Sequence, residues 1–201
     1  MSAQNPPAID PKLVDRVKGI ILQPKLEWPV IAAEPATVKG LFTRYAMILA
    51  AIGPVCGFIG AALFGFNTGI VGSLVVAIVS YVLSLVVVYV LGIVIDALAS
   101  SFGSEKNMLQ SMKLAVYAYT PAWVAGVLGL VPMLAGLALL AAIYGIYLMY
   151  LGFGPLKKTP EDKLVTYTIV TVLVAFALQV VVGLFAWAAA LPFVVASAMV
   201  S

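Results

Sequence analysis

The chain has 201 residues, of which 64% are apolar and only 9% are charged. Soluble domains carry about 25% charged residues, so this composition cannot supply the water-facing surface of an ordinary globule. A mean hydropathy of +1.14 agrees with this conclusion. The surplus apolar surface must face lipid, and the sequence therefore predicts an integral membrane protein.

Residue types that carry most site chemistry are scarce. The chain has no histidine, which removes the usual general base and the commonest metal ligand. Cys56 is the only cysteine, so an intrachain disulfide and a thiolate metal site are both excluded. No zinc-protease, serine-hydrolase or phosphate-loop motif is present, and no basic patch is large enough for nucleic acid. We expect no catalytic residues, no metal, no cofactor and no nucleic-acid partner.

Residues 1–44 are predicted to form a cytoplasmic N-terminal segment with an interfacial helix. Asp10 would cap this helix and Pro11 would begin it. Apolar residues recur on one face and charged residues on the other. The membrane-surface candidates are Leu13, Val17, Ile20, Lys12, Arg16 and Lys18. Two interpretations stay open: a helix in the headgroup layer near anionic lipid, or a helix that packs on the bundle and closes it.

A proline-rich stretch follows this helix. Pro24–Pro29 is predicted to be a turn in which Trp28 anchors at the membrane interface. Glu34 and Pro35 are predicted to open a second short helix that leads through Arg44 into the membrane.

Three uncharged stretches set the number of membrane crossings. Tyr45–Ile95 has 51 residues, Leu114–Phe153 has 40 and Leu164–Ser201 has 38. Because a helix needs about 20 residues to cross the bilayer, the first two stretches hold two crossings each. Breaks are expected at residues 66–69 and 129–132. The third stretch holds one crossing to about Ala190, with an interfacial tail after Pro192. The predicted fold is an all-α integral membrane bundle of five transmembrane helices over residues 45–201.

All 11 basic residues lie in three clusters outside these crossings, at residues 12–44, 106–113 and 157–163. Five crossings bring the three clusters to one face, which the positive-inside rule makes cytoplasmic. The N-terminus is then inside and the C-terminus outside. No cleavable signal peptide is visible, and the first crossing would act as the insertion signal.

Small residues repeat at four-residue spacing inside the crossings, which is typical of tight helix packing in lipid. The helix-packing candidates are Gly53, Gly57, Ala61 and Gly65 in the first crossing, and Ala118, Ala122 and Gly126 in the third. Whether these seams join helices of one chain or of two chains stays open. Pro54 and Pro121 should kink the crossings that contain them.

Polar residues near the apolar stretches suggest a second kind of site. Asp96 is the only carboxylate that reaches into an apolar stretch, and such acids are functional candidates. It could line a polar groove or relay with a basic residue and several tyrosines: Lys113, Tyr117, Tyr119, Tyr144 and Tyr147. Alternatively, Asp96 reaches the interface or pairs with Lys113 or Lys106, and the tyrosines form an aromatic belt and interhelical contacts.

Several segments together resemble the bacterial branch of the Yip family, the multi-pass proteins named for interaction with Ypt/Rab GTPases. The similarity covers residues 13–190 and rests on Leu22–Pro24, Glu27–Pro35, Asp96 with Phe102–Gly103, Lys113–Gly126, Val131–Pro132, Tyr144–Gly152, Lys158–Lys163 and Tyr167. The resemblance implies five membrane helices and a cytosolic N-terminus. Eukaryotic members are implicated in vesicle traffic and Golgi membrane organisation.

The expected function is that of a non-enzymatic, membrane-organising or adaptor component of the cytoplasmic (inner) membrane. Its expected partners are the lipid bilayer, anionic lipid headgroups or a membrane protein, and a homo-oligomer stays open. The alternative is a transporter or channel for a small solute, ion or lipid, with Asp96 and the tyrosines along its path. An intramembrane enzyme is a third class that no residue set supports.

Overall fold

The computed structural model describes residues 11–65 and 69–200. The predicted cap Asp10 and residues 66–68 of the first predicted break lie outside this part of the chain. Within the described residues the regular structure is entirely helical, with no strand. The predicted all-α class is therefore confirmed.

Two helices form the N-terminal segment. Helix α1 is Pro11–Leu22 and α2 is Pro24–Ala33, with Gln23 between them. The predicted turn at Pro24–Pro29 is therefore wrong. Pro24 occupies the first helical position, where its missing N–H costs no bond. Pro29 lies inside α2 but on its exposed side.

The first membrane-length segment runs from Val38 to Phe64 and is not one regular helix. It comprises α3 (Val38–Leu41), a π-helical turn at Phe42–Ala46, α4 (Met47–Ala50) and α5 (Ile52–Phe64). The Thr37 hydroxyl accepts a hydrogen bond from the Gly40 N–H at 3.0 Å and caps α3. The helix therefore begins at Val38, after the predicted start at Glu34–Pro35. The interruption at Ala51 lies three residues before Pro54, which has no N–H to donate to the Ala50 carbonyl.

Helix α6 is Gly69–Leu98, and a 3₁₀ turn at Ala99–Phe102 prolongs it. Gly103 ends this helix with a φ of 65°, a left-handed conformation that glycine adopts without strain.

The third predicted crossing is a succession of short helices. It consists of α7 (Met108–Ala118), α8 (Thr120–Ala125) and two 3₁₀ turns at Gly126–Leu130 and Pro132–Leu137. The interruption at Tyr119 lies two residues before Pro121, in agreement with the predicted kink.

Two long helices complete the chain. Helix α9 is Ala138–Lys157 and α10 is Glu161–Val200. Helix α10 continues through Pro192, after which the interfacial tail is predicted.

Four described segments are long and apolar enough to cross a membrane. They are Val38–Phe64, Gly69–Phe102, Ala138–Lys157 and Glu161–Ala196. The segment Met108–Leu130 is not among them.

The packed core lies toward one end of the bundle. Helix α7 is its centre, with every residue from Ser111 to Ala118 buried. Around it lie buried residues of α6 from Val87 to Ile95, of α9 from Leu148 to Leu156, and Trp28 and Ile31 of α2. Helix α6 with its 3₁₀ turn has 34 residues, about 51 Å at 1.5 Å per residue, against a hydrocarbon core of about 30 Å. The long helices therefore reach beyond the bilayer, and the core lies where the charged residues gather.

Candidate functional site

The three basic clusters of the sequence meet at this core end, which we call the charged end. The Lys158 ammonium lies 2.7 Å from the Glu105 carboxylate, and the Ser104 and Thr159 hydroxyls lie 2.8 Å apart. The middle and later clusters are thereby joined. The Lys113 ammonium joins the middle cluster to the N-terminal segment by donating to the Glu34 carbonyl at 2.6 Å.

Asp96 lies at the centre of a closed hydrogen-bond network at the charged end. Its Oδ1 accepts from the Lys157 ammonium at 3.0 Å, the Ser111 hydroxyl at 3.0 Å and the Asn107 backbone N–H at 2.8 Å. Lys157 also donates to the Ser111 hydroxyl at 2.7 Å. The Lys157 side chain is fully buried and that of Asp96 is 15% exposed. We call Asp96, Asn107, Ser111 and Lys157 the Asp96 cluster.

The ion-pair partner of Asp96 is thus Lys157 rather than the expected Lys113 or Lys106. In the sequence, Lys157 precedes Lys158 and follows Pro155, so it reads as a loop residue outside the membrane. It is instead the last residue of α9 and points inward. Only the packing of α9 beside α6 and α7 brings its ammonium to Asp96.

Lys113 holds the N-terminal segment against α7. Its ammonium donates to the carbonyls of Ile31 at 2.7 Å and Glu34 at 2.6 Å, which end α2. The Gln110 side chain adds a bond to the Ala32 carbonyl at 2.9 Å.

Arg16 faces protein rather than lipid. Its guanidinium forms ion pairs with Glu27 on α2 and with Glu34 just after it. The same group lies 5.9 Å from the centroid of the Tyr117 ring, within cation–π distance. Arg16 therefore ties α1 to α2 and α7.

The apolar face of α1 also turns inward. Leu13 is 8% exposed, Ile20 is fully buried, and Val17 packs against the core. Lys12 and Lys18 lie on the exposed side. Of the two interpretations of this helix, the geometry favours the one in which it closes the bundle. Other apolar residues of the two N-terminal helices are exposed: Val14, Leu22, Leu26 and Val30.

Trp28 is fully buried, so its predicted place at the membrane interface is wrong. Its ring packs against Gly152 of α9, where any added Cβ would lie 2.9 Å from the indole. The centroid of the ring lies 6.4 Å from that of Tyr117 in an edge-to-face contact. The tryptophan fills the space between α2, α7 and α9.

The tyrosines of the predicted groove point to different places. Tyr144 donates to the Ile21 carbonyl at 2.7 Å, while Tyr147 is 41% exposed. Tyr117 packs on Tyr45, with centroids 4.7 Å apart. Tyr119 lines a separate cavity beside Trp123. The six candidates therefore do not form one groove, because Asp96 and Lys113 are each occupied by other partners.

The small residues of the first crossing meet the third segment of the same chain. Gly53 lies against Gly126, and Gly57 lies against Gly129. A Cβ on Gly126 would come within 2.6 Å of the Gly53 Cα. Gly60, absent from the predicted stripe, faces the carbonyls of Gly129 and Leu130.

The remaining helix-packing candidates have different surroundings. Gly65 has a φ of 101°, ends α5 and has no neighbour where a Cβ would be, so its assignment to the seam is wrong. The Ala118 carbonyl faces Gly145 of α9. Ala61 and Ala122 line an intramembrane cavity of about 770 Å³.

Three cavities accompany these contacts. The cavity of about 770 Å³ lies between α5 and α6, and another of about 440 Å³ is lined by Tyr119, Ala142, Gln179 and neighbours. These two share Ser84, Ala122 and Trp123. The third, about 810 Å³, lies between the N-terminal segment and the start of the first span. We call it the charged cavity; its charged lining residues are Lys12, Asp15, Arg16, Glu27, Glu34 and Arg44.

Comparison with known proteins agrees with this architecture. The family model described as the Yip1 domain matches residues 18–184. The chain belongs to the Yip family. The match begins inside α1, so the family domain includes most of the N-terminal segment. Together with the four membrane-length segments, it makes the chain a multi-pass membrane protein of the Yip type.

The chain is also similar to the inner membrane protein YohC of Escherichia coli strain K12. The two are 29% identical over 125 residues, which are 58% of this chain and 64% of that relative. The same figures hold for YohC of Escherichia coli O6:H1 strain CFT073. The chain thus spans less than two thirds of the length of these relatives. No solved structure matches the chain.

Proposed function

We propose that this protein is a non-enzymatic, membrane-organising or adaptor component of the bacterial inner membrane. The observation that carries this proposal is the charged end. There the N-terminal helices and both later basic clusters pack into one surface through Lys113, Arg16 and the Asp96 cluster. A fixed surface of this kind suits contact with a partner or with headgroups. The inner-membrane location is supported by the similarity to the inner membrane protein YohC of Escherichia coli.

The proposed topology has five crossings, with Met108–Leu130 as the third. Gly126 and Gly129 lie beside Gly53 and Gly57 in the same order, which supports a segment that runs parallel to the first span. The segment that follows, α9, leads back to the charged end. Five crossings with all basic clusters inside support a cytoplasmic N-terminus and an external C-terminus.

The proposed division at residue 44 separates two parts of the chain that lie at different membrane depths but share one packed core. Residues 1–44 would form the cytoplasmic part and residues 45–201 the transmembrane part. Ile20, Trp28 and Ile31 belong to the same buried cluster as Leu91, Leu114 and Phe153. This shared core supports a cytoplasmic part that is fixed to the spans.

Two partner classes follow from the surface of this core. Exposed basic residues at the charged end suit anionic headgroups, and they include Lys18, Lys25 and Lys106. A protein partner would dock on the same surface. The glycine seam is used within one chain, which lessens the support for a homo-oligomer built on it.

A transporter or channel is the second candidate, and the two intramembrane cavities that meet at Ser84 and Trp123 favour it. Asp96 lines neither cavity, and Lys157 neutralises its charge. The expected path through Asp96 and the tyrosines therefore has less geometric support than the adaptor.

Purification of the full chain with native lipids, followed by mass spectrometry of bound components, tests the proposal. We expect a stoichiometric protein partner or retained lipid, lost when basic residues of the charged end are neutralised. Solute flux through reconstituted vesicles that Asp96→Asn abolishes would establish the transporter instead. The matched control for that variant is Glu105→Gln, which removes a carboxylate from an exposed ion pair.

A further inference from the structure

The charged cavity lies at the level where the chain enters the membrane. Arg44 and Tyr45 line it, and Tyr45 begins the first uncharged stretch. One turn further, Met47 is 41% exposed and Ile48 is 43% exposed, as lipid-facing side chains are. The cavity therefore lies at the boundary between the charged end and the lipid-facing part of the first span, which is headgroup depth.

The charges that line this cavity cancel. Three are cationic and three are anionic: Lys12, Arg16, Arg44, Asp15, Glu27 and Glu34. An anionic group alone would leave the carboxylates unbalanced, and a cation alone would do the same to the basic groups. A ligand that carries both charges matches this lining.

The charged groups that line the cavity differ in how available they are to a ligand. Arg16 is occupied by two carboxylates and is only 16% exposed, so it organises the wall. Arg44 is exposed and can meet a phosphate. Glu34 is 50% exposed, and its bond to Arg16 uses only Oε2. The other oxygen of Glu34 can accept from an ammonium group.

The remaining walls of the cavity are largely apolar, and its volume is large enough for more than a single ion. Leu13, Leu41, Tyr45 and Tyr117 are its buried apolar and aromatic walls. A volume of about 810 Å³ lies within the range of about 300–1,000 Å³ for small-molecule sites. Such a space is large enough for a headgroup together with its glycerol backbone.

We propose that the charged cavity binds the phosphoethanolamine headgroup of phosphatidylethanolamine in the cytoplasmic leaflet. The phosphate contacts Arg44, and the ammonium donates to Glu34. An ammonium with three N–H donors satisfies these carboxylates, whereas the quaternary ammonium of choline has no donor. This inference rests on the proposed membrane-organising function and names the lipid that the protein binds.

The test is native mass spectrometry of the full chain in micelles that hold phosphatidylethanolamine, phosphatidylcholine and phosphatidylglycerol with identical acyl chains at equal concentration. We expect phosphatidylethanolamine to be retained preferentially. Arg44→Gln should weaken its binding about tenfold, the loss of one charge-assisted hydrogen bond. Glu34→Gln should lower phosphatidylethanolamine to the level of phosphatidylcholine.

Two matched controls change the same charges outside the cavity. Lys39→Gln corresponds to Arg44→Gln, and Glu105→Gln corresponds to Glu34→Gln; both should leave the lipid preference unchanged. Since Glu34→Gln also loosens Arg16, its fold is checked by gel filtration, and Arg44→Gln carries the test alone if that variant fails to fold. Equal or greater retention of phosphatidylglycerol, or equal effects of Arg44→Gln and Lys39→Gln, overturns the proposal.

Soluble glycerophosphoethanolamine separates the two sources of this headgroup. If millimolar concentrations displace the lipid, the cavity takes a free zwitterion and the lipid assignment is overturned. If they do not, the lipid assignment is supported. If a protein partner co-purifies and the protein shows no preference for phosphatidylethanolamine, only the lipid assignment of the cavity is overturned. The proposed function then stands.

Discussion

At the scale of single residues, the Asp96 cluster shows how one acid is accommodated beside the membrane. Asp96 has a single buried cation, Lys157, and two neutral donors in Ser111 and Asn107. Because the Lys157 side chain has no exposed surface, its charge depends on the carboxylate for stabilisation. The nearby pair Lys158–Glu105 is 69% and 57% exposed and is stabilised by water on both sides.

Asp96→Asn should therefore destabilise the protein by about 2–4 kcal/mol, because it leaves the Lys157 ammonium buried without a counter-charge. Thermal unfolding in detergent measures this loss. Glu105→Gln, the matched control, should cost less than about 1 kcal/mol because its pair is exposed. The double variant Asp96→Asn with Lys157→Met should be more stable than Asp96→Asn alone. Equal costs for the two carboxylates would show that the Asp96 cluster has no structural role.

Trp28 is the second residue whose environment the sequence does not reveal. The chain has three tryptophans, and their exposed fractions are 0% for Trp28, 5% for Trp123 and 66% for Trp187. Only Trp187, on α10, faces lipid. A pattern of proline and tryptophan near the first crossing is typical of an interface anchor, but the packing of α2 on α9 covers the indole.

In vesicles that contain brominated lipids, most of the quenching of tryptophan fluorescence should come from Trp187. Trp187→Phe should remove it, while Trp123→Phe, the control, should retain it. A variant with Trp28 alone should be protected from both shallow and deep bromine labels because protein surrounds the ring. Strong quenching of Trp28 by a shallow label would restore its predicted place at the interface.

At the scale of elements, the contact between α5 and the segment Gly126–Leu130 depends on particular glycines. The predicted small-residue stripe gives Gly53 and Gly57 the same role in helix packing. In the fold, a Cβ on Gly126 would lie 2.6 Å from the Gly53 Cα, whereas a Cβ on Gly57 would meet nothing within 4 Å. Small residues allow the close approach, but the rotation of each helix decides which of them are needed.

Gly126→Ala should lower stability by about 1–3 kcal/mol, because the backbones of the two segments must move apart. Gly57→Ala, on the same seam, should be neutral or slightly stabilising, since alanine has the better helix propensity. Thermal unfolding of both variants in one detergent makes the comparison. A larger loss for Gly57→Ala than for Gly126→Ala would contradict this arrangement of the seam.

At the scale of the whole molecule, the number of crossings depends on Met108–Leu130. Four described segments are long and apolar enough to cross a membrane. The remaining one is interrupted at Tyr119 and finishes in 3₁₀ turns. If it crosses, Met133 is outside and Lys158 inside; if it does not, these positions exchange. Met133 is 93% exposed and Lys158 is exposed as well, so both suit chemical labelling.

In a Cys56→Ser background, Met133→Cys should react with an impermeant maleimide in intact cells. Lys158→Cys and Lys106→Cys should react only after the membrane is permeabilised. This outcome follows from five crossings with the N-terminus inside. Labelling of Lys158→Cys but not Met133→Cys in intact cells would establish four crossings instead. Lys106→Cys is the control, because it is cytoplasmic in both topologies.

The fold class and the family were predictable from local patterns. Long uncharged stretches must be helical in lipid, since only internal hydrogen bonding satisfies their backbone. The prolines at 54 and 121 marked the interruptions near Ala51 and Tyr119. The burial of Trp28 and the helical conformation at Pro29 were not predictable, because a proline-rich stretch favours a turn unless tertiary packing supports a helix.

The sequence by itself determined that the protein is surrounded by lipid, that it is helical and which family it belongs to. It also determined that the basic residues gather outside the apolar stretches. Each of these depends on composition or on spacing along the chain. Only the tertiary structure decided that Asp96 pairs with Lys157 and that Arg16 joins Glu27 and Glu34. It also decided that α1 turns its apolar face inward. The reason is physical: a charge or an apolar face takes the partner that packing brings close, and these partners come from segments far apart in the chain.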